Sequence, residues 1–90
     1  MAYKKKIKHC EFLTDDEVEN IKATCVMFTY AKRKSVTFDY HDFCGVFEIE
    51  EKNGVDKENQ MKSVEKLLEM KPVDGEKIEF IFRKDVDYID

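Results

Sequence analysis

Two different apolar periods alternate along this chain, and no other feature constrains its fold as strongly. Over residues 18–28 the apolar side chains recur every three or four positions, which is typical of an amphipathic helix. Over residues 78–82 they recur at every second position on one side, which is typical of a half-buried strand. The mixture predicts an α+β protein, because both kinds of element must bury their apolar sides against each other.

The first helix has a clear amino-terminal signal. Thr14 is followed directly by three acidic residues, Asp15, Asp16 and Glu17. A hydroxyl at the N-cap with a glutamate three residues later forms a capping box, and the carboxylates favour the positive end of the helix dipole. We therefore predict a helix over about residues 15–32.

The remaining elements follow from the same two periods and from the turn residues between them. A proline at position 72 disfavours helical geometry in the residue before it, so the second helix must end there. The predicted elements are strands at about 5–13, 35–40, 43–51 and 77–83, with a second helix at about 57–70.

This order, β-α-β-β-α-β, predicts a single domain over residues 1–90. Its elements bury each other as two layers, with two helices on one face of a four-stranded antiparallel sheet. Two architectures share the order, an open-faced sandwich and a ferredoxin-like plait, and they differ in which strands are neighbours. The predicted core consists of the apolar residues that are in phase within each element: Ile7, Val18, Ile21, Cys25, Phe28, Val36, Phe38, Phe47, Ile49, Val64, Leu67, Leu68, Ile78, Phe80 and Phe82.

Composition excludes several classes of partner. The chain has 16 Lys or Arg and 20 Asp or Glu, a formal net charge of −4, so we expect no nucleic-acid binding. The longest apolar run, residues 25–28, is far too short to cross a bilayer, so we expect no membrane partner. Three cysteines cannot all pair within one chain, and we interpret them as reduced side chains. These features predict a cytoplasmic protein.

No complete catalytic or metal-binding motif occurs in the chain. His9 and His41 could combine with Asp42, Cys10 or Cys44 in a metal site, but their spacing matches no regular set of ligands. Cys44 with His41 is also similar to a thiol nucleophile with its base, although no oxyanion-hole motif accompanies the pair. We therefore expect no enzymatic activity, no metal and no cofactor.

Residues 31–40 and 62–80 carry a family resemblance. The second stretch reads Lys62-Ser63-Val64, then Leu67-Leu68, then Lys71-Pro72-Val73-Asp74-Gly75-Glu76-Lys77-Ile78-Glu79-Phe80. It resembles the second helix and last strand of HPr, the histidine-containing phosphocarrier of the bacterial sugar phosphotransferase system. The first stretch resembles that family's passage from its first helix into its second strand. The resemblance covers about half the chain and implies an HPr-like open-faced sandwich in a bacterial, cytoplasmic protein.

The chain departs from this family at the reacting residue. The family's loop before its first helix contains a histidine that accepts the phosphoryl group, whereas residues 13–20 contain no histidine and four acidic residues. Those carboxylates would repel a phosphoryl donor. We therefore predict no histidine phosphorelay, and we interpret the chain as a regulatory or protein-binding relative of the phosphocarriers.

The resemblance also implies candidate site residues. Ser63 matches the serine that a dedicated kinase phosphorylates in many Gram-positive bacteria, although a helical serine without that role is the plainer interpretation. The family's docking surface, around the starts of both helices, corresponds to Asp15, Asp16, Glu19, Lys62 and Ser63, and carboxylates there favour a basic protein partner. The alternative function, which goes with the ferredoxin-like plait, is small-ligand binding or oligomerisation.

Overall fold

The computed structural model describes residues 4–89 and confirms the α+β class. Its elements in chain order are β1 (Lys5–Lys6), α1 (Asp15–Tyr30), β2 (Ser35–Asp39), α2 (Tyr40–Phe47), α3 (Gly54–Val64), β3 (Leu68–Pro72), β4 (Lys77–Phe82) and β5 (Val86–Asp87). No helix within residues 4–89 is long and apolar enough to cross a membrane.

The main sheet has three antiparallel strands in the order β2-β4-β3. Val36 of β2 and Met70 of β3 both lie opposite Phe80 of β4, which is the central strand. The two short strands β1 and β5 pair in parallel and form a separate two-stranded sheet. The predicted four-stranded sheet is therefore not seen within residues 4–89.

The predicted first strand, residues 5–13, is reduced to the two residues of β1. Cys10 and Leu13 are both buried, and residues 11–13 form a turn. Because a strand directs residues three apart to opposite faces, an extended chain could not bury both of these side chains on one face.

α1 agrees closely with its prediction. Both halves of the capping box are present, with the hydroxyl of Thr14 accepting a hydrogen bond of 3.0 Å from the N–H of Glu17. The helix ends in a Schellman turn, in which the N–H of Arg33 donates to the carbonyl of Phe28 at 3.0 Å. Lys32 occupies the left-handed position of this turn, with φ of 62°. The helix therefore ends slightly earlier than the sequence predicts.

The segment predicted as a hairpin strand, residues 43–51, lies largely in helix α2, and that prediction is wrong. The carboxylate of Asp39 caps α2 by accepting a hydrogen bond of 2.7 Å from the N–H of Asp42. Phe43 and Phe47, one helical turn apart, both enter the core, with ring centroids 4.8 Å apart. The cap and this spacing together favour the helix.

The second predicted helix, residues 57–70, is observed as α3 followed by β3. Leu68 was predicted on the apolar face of this helix. It lies instead in strand β3, opposite Phe82, and is fully buried there. Pro72 completes β3 at the edge of the sheet, where strand pairing does not require the N–H that proline lacks. Tertiary packing has overridden the helical spacing here.

The core lies between one face of the main sheet and helices α1 and α2. Phe28 of α1 stacks on Phe82 with centroids 5.9 Å apart, and Phe43 of α2 stacks on Phe80 at 4.3 Å. Four predicted core residues are only partly buried and pack against this core: Ile7, Phe28, Phe38 and Ile78. The others are buried, together with five residues that the sequence-based core omits: Cys10, Leu13, Phe43, Cys44 and Val86.

Candidate functional site

The loop before α1 holds one aromatic side chain in solvent. Cys10 and Leu13 are buried, whereas Phe12 between them is 57% exposed. Its backbone is left-handed, with φ of 63°. A bulky residue in this conformation costs on the order of 1–3 kcal/mol, and such residues cluster at functional sites. The surrounding structure must therefore hold this loop in place.

Hydrogen bonds fix the chain on both sides of Phe12. On one side, the hydroxyl of Ser63 donates to the backbone carbonyl of Glu11. On the other, the N–H of Thr14 donates to the carboxylate of Glu17 at 3.0 Å within the capping box. The end of α3 and the start of α1 thus clamp the loop that carries the exposed ring.

Exposed carboxylates follow the ring along the first turns of α1. Asp15 lies 3.0 Å from the imidazole of His9, and Glu19 lies 3.8 Å from the ammonium of Lys22. Asp16 is exposed, and within residues 4–89 no cationic group lies within ion-pair distance of it. The start of α1 therefore presents negative charge to solvent.

The connection between α2 and α3 adds two more carboxylates to this surface. The side chain of Glu17 accepts a hydrogen bond of 2.7 Å from the N–H of Glu50, and the amide of Asn20 donates to the carbonyl of Glu48 at 2.9 Å. Both glutamates are exposed beside the first turns of α1. We call the combined surface the Phe12 patch, and it comprises Phe12, Asp15, Asp16, Glu19, Glu48 and Glu50.

A partly buried polar cluster supports the connection that carries Glu50. The hydroxyl of Tyr40 accepts from the N–H of Lys52 at 2.7 Å and donates to the side-chain carbonyl of Gln60 at 2.5 Å. The amide of Gln60 donates in turn to the carbonyl of Glu50 at 2.7 Å. Burial raises the pKa of Tyr40 to about 12, so its hydroxyl stays protonated and remains a donor.

The candidate phosphorylation site lies inside this framework rather than on the surface. Ser63 is 4% exposed and lies near the carboxyl end of α3. Its hydroxyl already donates a hydrogen bond to the backbone carbonyl of Glu11. A kinase would have to open the clamp to reach it, and a phosphate near a helix carboxyl end is unfavourable. Its neighbour Lys62 is exposed on α3. Ser63 is therefore not part of an exposed docking surface, and its hydroxyl instead supports the loop that carries Phe12.

Of the other candidate chemical residues, His9 contacts Asp15 of the Phe12 patch, whereas His41 and Cys44 lie on α2. His41 is exposed and hydrogen-bonded to Glu51 at 2.6 Å, which raises the pKa of the imidazole. Cys44 is buried, and burial raises the pKa of its thiol, so it lacks the thiolate character of a nucleophile. In the part of the chain from 4 to 89, no three His, Cys, Asp or Glu side chains are arranged to hold a metal ion.

The acidic start of α1 was predicted from the sequence, whereas the exposed ring of Phe12 and the carboxylates of Glu48 and Glu50 were not. The aromatic type of Phe12 was visible, but nothing in the sequence marks a left-handed backbone at a phenylalanine. No known protein-family model, curated protein sequence or solved structure matches this chain.

Proposed function

We propose that this domain is a non-enzymatic, regulatory protein-binding module that docks a basic partner through the Phe12 patch. The observation that carries the proposal is an exposed aromatic ring held in a left-handed backbone beside exposed carboxylates. Aromatic anchors bordered by polar groups are the usual source of affinity in protein interfaces.

The carboxylates of the patch set the class of partner. Asp16 and Glu48 are exposed on neighbouring segments of the chain, and the exposed Glu50 beside them is paired with the ammonium of Lys52 at 3.1 Å. A surface of one charge sign speeds association with an oppositely charged partner and selects against partners of the same sign. The partner should therefore present basic residues around an apolar pocket that accepts the ring.

The likeness to HPr supports the location of this surface. The docking region that it implies at the start of the first helix includes Asp15, Asp16 and Glu19 of the Phe12 patch. Lys62 and Ser63, which the resemblance assigns to the start of the second helix, lie in the last turn of α3 instead. We propose kinship with the phosphocarriers, without histidine phosphorelay, in a cytoplasmic protein. Pairing of β4 with β2 agrees with this arrangement. Two features depart from it: β1 pairs with β5 instead of β4, and helix α2 replaces the hairpin strand.

Site-specific photocrosslinking tests the proposal and captures the partner in the same experiment. A benzophenone amino acid would replace Phe12 in the full chain, expressed in the source cells. The matched control places it at Val73, an exposed apolar residue between β3 and β4. We expect one saturable adduct from position 12 that is lost when Asp16 and Glu19 are both changed to Lys. Equal adducts from both positions, or an adduct that survives the charge reversal, would contradict the proposal.

A further inference from the structure

A second surface lies at the opposite end of α1. A groove of about 630 Å³ runs between the carboxyl-terminal part of α1 and the chain from the end of β4 through β5. Its apolar lining includes Val26, Phe82 and Val86. This volume is within the range of specific binding sites, roughly 300–1,000 Å³. At about 1.5 Å per residue along α1, Val26 of the groove lies roughly 10 Å beyond Glu19, the last residue of the Phe12 patch on this helix.

Basic side chains from three separate segments line this groove. Lys4, Arg33, Lys34 and Lys84 all border it, and within residues 4–89 no carboxylate lies within ion-pair distance of these four groups. The groove therefore carries concentrated positive charge on a protein whose formal net charge is −4.

Two acidic residues near the groove are already engaged. Asp85 accepts hydrogen bonds of 2.9 and 2.7 Å from the guanidinium of Arg83, so this pair is internally neutralised. Asp87, an acidic residue in the lining, accepts a hydrogen bond of 3.0 Å from the N–H of Ile89. The unpaired basic groups therefore outnumber the single carboxylate in the lining.

Apolar surface continues beyond the groove. Tyr30 is 85% exposed and lies one helical turn after Val26, and Ile89, which lines the groove, is 64% exposed. Exposed large apolar residues beside an apolar cleft are typical of an interaction surface. A ligand that fills only the groove would leave the ring of Tyr30 in water.

We propose that this groove binds an acidic polypeptide segment that carries apolar anchor residues. Carboxylates spaced along such a segment match basic groups that come from three separate parts of the chain, and its apolar side chains match the groove and Tyr30. The apolar lining from Val26, Phe82 and Val86 favours this occupant over a polyphosphate, which has no apolar groups to place there. The proposal does not rest on the function proposed for the Phe12 patch, because the two surfaces share no residue.

Fluorescence anisotropy with a synthetic peptide tests this proposal. The probe is a fluorescein-labelled peptide in which Asp and Glu alternate with Leu and Phe, titrated with the full chain at low and at physiological salt. We expect saturable binding that weakens with salt and weakens at least about tenfold in the Arg33→Glu/Lys34→Glu variant. The matched control, Lys71→Glu/Lys77→Glu, has the same net charge and changes exposed lysines outside the groove, so binding should stay within about twofold.

Additional variants and ligands in the same assay distinguish an acidic peptide with apolar anchors from other occupants of the groove. Tyr30→Ala, which removes an exposed side chain, should weaken binding, and so should replacing Leu and Phe of the peptide with Ala. The proposal would be overturned if the two charge-reversal variants lost peptide affinity equally, or if the alanine peptide bound as tightly as the original. It would also be overturned if oligothymidylate or phosphatidylglycerol vesicles bound more tightly than the peptide. Phe12→Gly should leave binding of the peptide unchanged. A failure of peptide binding at the groove is therefore distinguishable from a failure of partner binding at the Phe12 patch.

Discussion

The hydroxyl of Ser63, near the end of α3, donates a hydrogen bond to the backbone carbonyl of Glu11, which lies 52 residues earlier in the chain. This contact joins α3 to the loop that carries Phe12. Because Cys10 and Leu13 anchor the same loop in the core, the backbone that carries the ring is held in place before any partner arrives. Preorganisation of this kind lowers the entropy cost of binding.

Removing this clamp should destabilise the fold. Ser63→Ala leaves the partly buried carbonyl of Glu11 without its donor, so we expect a loss of about 1–2 kcal/mol in the free energy of unfolding. Ser63→Asp should cost more, because it places a carboxylate in a buried site. Urea denaturation measures both, with Lys62→Ala as an exposed control. A neutral Ser63→Ala would show that the clamp does not hold the loop.

The left-handed residue after α1 offers a stabilising substitution. Lys32 has φ of 62° in the Schellman turn, a position that glycine occupies at little steric cost. Lys32→Gly should raise the free energy of unfolding by about 0.5–1 kcal/mol. Ala31→Gly, at a residue with φ of −77°, should lower it and serves as the matched control. Thermal or urea unfolding showing the opposite order would contradict the assigned turn.

Phe80 should be among the most costly side chains to truncate. It is fully buried in the central strand and stacks on Phe43 with centroids 4.3 Å apart. Phe80→Ala should cost about 3–5 kcal/mol, most of the stability of a domain this small. Tyr30→Ala, at an exposed position, should stay within about 0.5 kcal/mol. A loss below about 1 kcal/mol for Phe80→Ala would remove that residue from the core.

The exposed pair of His41 and Glu51 should be visible in an NMR titration. The hydrogen bond from Glu51 and its charge raise the pKa of His41 above the ordinary 6.5. Because the folded pKa is the higher one, the stabilisation from this pair is complete below the unfolded pKa and is lost as pH rises through the folded pKa. Glu51→Gln should lower the measured pKa of His41, whereas Glu58→Gln on α3 should leave it unchanged. An identical titration in both variants would rule out the pair.

The parts of the fold that the sequence predicted well are those governed by local signals. The capping box at Thr14 gives the start of α1, and alternation over residues 78–82 gives β4. α2 and β3 were missed because the apolar spacing was misleading in both segments: residues 43–51 also fit strand alternation, and the helical spacing of residues 57–70 continues to Leu68, so packing decided between the alternatives. Phe43 gains a stacked aromatic partner only as part of a helix over the sheet, and Leu68 gains its place opposite Phe82 only as part of a strand.

The site was predictable only in its acidic part. Asp15 and Asp16 stand out because they occupy the first turn of a capped helix. The exposure of Phe12 depends instead on burial of its neighbours and on a hydrogen bond from Ser63, 51 residues away from it in the chain. Contacts of such long range leave no local pattern in the sequence.

The most direct test of the central claim compares the stability and the binding of Phe12→Gly. Glycine relieves the left-handed backbone while removing a ring that is 57% exposed, so the free energy of unfolding should change by less than about 1 kcal/mol. The affinity for the crosslinked partner, measured by calorimetry, should fall at least about 30-fold, because an aromatic anchor contributes about 2 kcal/mol or more. Wild-type affinity in the folded Phe12→Gly variant would contradict the account and place the binding surface elsewhere on the domain.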